Sequence, residues 1–213
     1  MTWMPMCGQT WLDAAASFLG MWVVMMIAMM LPSLMPNLWR YRQAIGATGA
    51  LRLHSMTALV GVSYFVVWTA FGLCIYPLAA ALSAIEMQVP TLARIEPIAT
   101  GLVVLFAGAL QFTAWKARRL ACCRVAPGRV LSAGAGAAWR HGLRLGLHCG
   151  ACCAGPTAIL LAIGVMDLRA MAVVAVAITA ERLAPSGERV AMAIGVVAVG
   201  AGLLLTARAV GLG

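Results

Sequence analysis

The stretch HCGACCAGPT, His148 to Thr157, opens an apolar run that continues to Met166. A membrane span needs about 20 mainly apolar residues. Leu145–Met166 meets that length, so three cysteines and a histidine are carried into the interior of a bilayer. Hydrocarbon offers no water to satisfy the backbone, and the run lacks period-2 alternation, so it must be helical. Cys149, Cys152 and Cys153 stand at i, i+3 and i+4 and present three sulfurs on one helix face. His148 lies one turn before Cys152 and can approach the same face. Pro156 has no N–H for the carbonyl of Cys152 and pushes against it, which predicts a kink and a freed acceptor beside the thiols.

The rest of the chain has the same character. It is 63% hydrophobic and only 10% charged, with a mean hydropathy of +0.97. A soluble domain of this length would be about a quarter charged. The solvent is therefore mostly lipid. The formal charge of +9 does not mark a nucleic-acid binder, because the basic residues fall in gaps between apolar runs and form no face interleaved with aromatics. The seven cysteines do not read as a secreted disulfide framework; their spacing carries the information. The first residues, MTWMPMCGQTW, lack the basic opening of a signal peptide, so the first apolar run is expected to be a retained span.

The expected fold is all-α: one integral membrane domain over 1–213, a polytopic bundle of about six transmembrane helices. The spans fall at 14–38, 55–82, 97–115, 145–166, 168–184 and 190–212, the fifth being short and carrying Glu181 and Arg182. Arg40, Arg42, Arg52, Lys116, Arg118, Arg119, Arg124, Arg129, Arg140, Arg144, Arg182 and Arg189 share one side, against Arg94, Arg169 and Arg208 on the other. The larger group marks the cytoplasm and puts both termini outside. The segment from Lys116 to Arg144, with Pro127–Gly128 and the run SAGAGAA, is expected to be a flexible connection or to hold a short interfacial helix.

A second sulfur-rich stretch lies in the first span, MWVVMMIAMMLPSLMP. Met26, Met29 and Met30 repeat the i, i+3, i+4 spacing, and Met25 pairs with Met29. Thioether and thiolate sulfur both suit copper(I) and suit magnesium poorly. Pro32 frees the carbonyl of Ala28 within this group. Depth ties the stretches together. The first span runs inward, the fourth outward and the fifth inward, which places Met29, Met30, Cys149–Cys153 and Glu181 in one layer toward the cytoplasm. The alternative for these sulfurs is plain packing between helices. Glu181 either pairs with Arg182 or snorkels, or else serves the site as a supporting or proton-accepting group. Cys122 and Cys123, beside Arg119 and Arg124, are entry or redox candidates, or incidental juxtamembrane residues. Met166 and Asp167 end the fourth span outside, where Asp167 is an exit ligand or simply closes a helix hairpin.

The runs MWVVMMIAMMLPS, LQFTAWK, ACCRVAP, GLHCGACCAGP, GVMDL and ERLAPSG resemble a bacterial family of predicted metal-binding integral membrane proteins. That family began as a domain of unknown function and is sometimes labelled copper chaperone. The resemblance extends from about Trp22 to Ala184 and implies a multi-pass protein of the bacterial inner membrane that handles copper. Its signature falls on Met25, Met26, Met29, Met30, Pro32, Gln111, Lys116, Cys149, Cys152, Cys153, Met166 and Glu181, which adds Gln111 and Lys116 to the residues supporting the site. The chain departs from the pattern at Ala154, at Asp167 and in having Cys122 and Cys123 adjacent.

The favoured function is copper(I) binding within the bilayer, for buffering or delivery to a copper enzyme, with a soluble copper carrier as a second partner and another soft metal as the alternative cargo. A membrane thiol–disulfide oxidoreductase competes with it, Cys149 and Cys152 exchanging electrons with Cys122, Cys123 or quinone. A non-catalytic subunit of a larger membrane enzyme is the third reading. His54, His141 and His148 are too scattered for a paired-histidine oxygen site, and no catalytic residue is assigned.

Overall fold

The computed structural model describes residues 10–45, 49–124, 134–164 and 167–211, without the side chains of 90–94 and 122–124. Its regular elements are helices: α1 (Trp11–Ile45), α2 (Ala50–Gln88), α3 (Pro90–Leu110), α4 (Ala114–Arg124), α5 (Ala135–Ile163), α6 (Leu168–Leu183) and α7 (Gly187–Ala209). Large apolar side chains such as Val24, Leu73, Phe106, Val176 and Leu204 face outward, while Gln111, Lys116 and Glu181 are buried. That distribution inverts the soluble pattern and suits a bundle whose outside meets lipid.

Four helices, α1, α2, α5 and α7, are long and apolar enough to cross a membrane, and α3 with α4 makes a fifth if the bent pair is one span. The count of six crossings is therefore approximate, for two local reasons. The predicted 97–115 span is not continuous, because the chain bends by 64° between α3 and α4. The N–H groups of Gln111, Phe112 and Thr113 donate to carbonyls three residues back, at 3.1, 3.1 and 3.2 Å, which tightens and ends α3. Thr113 Oγ1 then accepts the N–H of Lys116 at 3.3 Å and starts α4. The predicted fifth span is α6, with 16 residues. At the α-helical rise this is about 24 Å, short of a hydrocarbon core of about 30 Å.

The expected loop from Lys116 to Arg144 is mostly helical as well. Lys116 lies in α4, and α5 begins at Ala135. Only 125–133 of that segment lie outside the described residues.

Glycine sets the helix spacing. Gly142, Gly146 and Gly150 form one stripe of α5 and abut Ser63 and Val60, then Val67 and Tyr64, then Phe71 of α2. The contacts ascend together along both helices, so α2 and α5 run parallel with their backbones close. On the other side of the bundle Gly101 and Gly108 of α3 meet Thr206 and Val199, while Gly202 and Gly195 of α7 meet Leu105 and Phe112, an antiparallel seam. Trp22 of α1 fills the space over Gly72 of α2 and donates from Nε1 to the Trp68 carbonyl at 2.8 Å. These directions alternate along the chain as successive crossings would.

Candidate metal centre

The two sulfur-rich stretches turn their donors into one core. Met25, Met26, Met29 and Met30 are buried on α1, and Cys149, Cys152 and Cys153 are buried on α5. A single packed cluster holds all four methionines with Cys149, Cys153, Tyr64 and Trp68. Helical periodicity explains the faces: in each stretch the i, i+3, i+4 residues point inward, while the neighbouring Ile27, Leu31 and Ala154 are exposed.

Across the helices Cys149 Sγ lies 4.0 Å from Met30 Sδ. Cys153 packs in the same buried cluster as Cys149, and Cys152 is buried next to it on α5. The hydroxyl of Tyr64, a fully buried α2 residue, lies 2.8 Å from Cys149 Sγ. The Arg182 guanidinium on α6 is near enough to act electrostatically on Cys149, Cys153 and Tyr64. The cysteines Cys149, Cys152 and Cys153 are free rather than bridged.

A polar group sits beside the sulfurs. Lys116 Nζ donates to Glu181 Oε2 at 2.7 Å and to the Cys152 carbonyl at 2.8 Å. Gln111 Nε2 donates to the other carboxylate oxygen, Oε1, at 2.6 Å. The carbonyl is the one that Pro156 leaves without a helical donor, so the expected free acceptor exists and a lysine from α4 takes it. Glu181 accordingly pairs with Lys116. A charge at this depth is tolerable only with such partners.

Other expected residues lie elsewhere. His148 is exposed, although its neighbour Cys149 is buried, because one residue turns a helix by about 100°. Asp167 caps α6, its Oδ1 accepting the N–H groups of Arg169 and Ala170 at 2.8 and 3.2 Å. Met166 and the side chains of Cys122 and Cys123 lie outside the described residues. Tyr64 is the participant that the sequence reading missed. The Gly142, Gly146, Gly150 stripe was the available signal, since it demands a close partner helix, and a buried tyrosine there must find a partner for its hydroxyl.

Among the described residues, no three His, Cys, Asp or Glu side chains converge to hold a metal ion. The buried donors beside the cysteines are methionine thioethers, a ligand type that suits soft ions.

A family model described as copper chaperone, PpoB2, matches residues 19–205. The chain belongs to this copper chaperone family. The match takes in both sulfur stretches of the chain, the Lys116–Glu181 pair and Tyr64. Neither a curated protein nor a solved structure shows significant similarity to the chain.

Proposed function

We propose that this copper chaperone family member binds copper(I) inside the bilayer, between α1 and α5, and buffers it or passes it to a copper enzyme. The observation that carries the proposal is the 4.0 Å separation of Cys149 Sγ and Met30 Sδ within a buried, sulfur-lined core. Metal–sulfur bonds of about 2.3 Å, the length thiolates take on zinc, place two sulfurs about 4.0 Å apart at a trigonal angle of about 120°. Cys153, or Met26 or Met29, supplies the third sulfur. Binding ionises the thiols. Arg182 then offsets the negative charge of the thiolates, and the Lys116–Glu181 pair holds the α5 backbone at the Cys152 carbonyl.

The twelve basic residues read on one side support an inner-membrane protein whose site lies toward the cytoplasm. A soluble copper carrier can therefore reach it from the cytoplasm. The test is copper(I) binding by the purified protein, with X-ray absorption to count sulfur neighbours. Stoichiometric copper(I) in an all-sulfur shell is expected, and it should be lost when Cys149, Cys152 and Cys153 are all changed to serine. Binding that survives the triple change removes the cluster from the site.

A further inference from the structure

We infer that Tyr64 is a positioning residue of the copper site, donating a hydrogen bond to the Cys149 sulfur that holds the metal; this rests on the function proposed above. Three observations lead to it. The hydroxyl is 2.8 Å from Cys149 Sγ, on a residue with no exposed surface. Cys149 Sγ also lies 4.0 Å from Met30 Sδ of the methionine group. The third is the glycine seam: a Cβ at Gly146 would meet the Tyr64 carbonyl and Val67, so glycine there is what lets Tyr64 reach a sulfur one turn further along α5.

The direction of the bond follows from chemistry. With a neutral thiol either partner can donate. A metal-bound thiolate has no hydrogen, so only the tyrosine can donate. Phenol oxygen is too hard a donor to compete with sulfur for copper(I), so the hydroxyl stays off the metal and on the ligand. In a dry interior a hydrogen bond to an anion is stronger than a neutral one and fixes the sulfur's orientation. Groups that support metal ligands in this way typically account for about 10- to 100-fold in affinity.

The experiment compares copper(I) affinity, by chelator competition, for the wild type, Tyr64→Phe, Cys149→Ser and the double variant, together with the near-ultraviolet thiolate-to-copper absorption. Tyr64→Phe removes one oxygen and keeps the ring. The expected result is about 10- to 100-fold weaker binding, a shifted absorption band, and no further loss when Tyr64→Phe is added to Cys149→Ser. Unchanged affinity with an unshifted band would overturn the inference, as would an equal loss in the Cys149→Ser background, which reports packing alone. A wild type that binds no copper(I) instead overturns the proposed function and takes this inference with it. If Tyr64→Phe does not fold, resonance Raman of a Tyr41→Phe, Tyr76→Phe protein reads the remaining tyrosine directly. A change to a pure donor signature on adding copper(I) supports the inference, and an unaltered signature overturns it.

Discussion

Removing both members of the Lys116–Glu181 pair should destabilise the protein by less than the sum of removing each alone. The side chains are 4% and 2% exposed and their charged atoms are 2.7 Å apart. Lys116→Met takes from a buried carboxylate its 2.7 Å ammonium partner, and Glu181→Met takes from a buried ammonium its carboxylate, leaving the Cys152 carbonyl. Stranding one buried charge costs about 3–5 kcal/mol. The double change strands no charge, but it leaves Gln111 Nε2 and the Cys152 carbonyl without these partners, at about 1–3 kcal/mol each. Its total falls below the roughly 6–10 kcal/mol of two independent losses. Denaturant unfolding in a fixed mixed micelle, run on the four proteins as a double-mutant cycle, measures the difference. Strict additivity, or single variants within about 0.5 kcal/mol of wild type, the range of surface changes, would show that the pair is not closed in the folded protein.

Met30→Leu keeps volume and apolarity, so unfolding should shift by less than about 1.5 kcal/mol, while copper(I) affinity by chelator competition should fall; undiminished affinity would remove Met30 from the site. Gly142→Ala drives a methyl group into Ser63 and the Val60 carbonyl, and the resulting overpacking should cost about 1–3 kcal/mol in the same unfolding assay. His148→Ala changes an exposed side chain, so stability should stay within about 0.5 kcal/mol and copper(I) stoichiometry should not change.

Much of this arrangement was legible before any coordinates. Apolar runs located α1, α2, α5 and α7, and the i, i+3, i+4 spacing assigned Met26, Met29, Met30, Cys149, Cys152 and Cys153 to buried faces. Periodicity says which residues share a face, but not which helix lies opposite. The partnership of Tyr64 with Cys149 was therefore hidden, and so was the reach of Lys116 from α4 to α5 and α6. The break at Gln111–Thr113 contains neither proline nor glycine, so nothing local announced that the predicted third span would bend. His148 is exposed for a simpler reason: one residue of rotation is enough to carry a side chain off the face that its neighbour occupies.

The glycine seam also determines how the sulfur core can open. With Gly142, Gly146 and Gly150 pressed against α2, the thiols and the Tyr64 hydroxyl belong to one stiff jaw. The opposing jaw, α1, packs along α2 and α6, and it reaches Cys149 through the tip of the Met30 side chain. Methionine has three rotatable bonds and a polarisable sulfur, so under the proposed function this jaw would grip or release the ion by swinging thioether tips while every helix axis stays in place. A clasp with one fixed and one supple side lets cargo leave without unpacking the bundle that carries it.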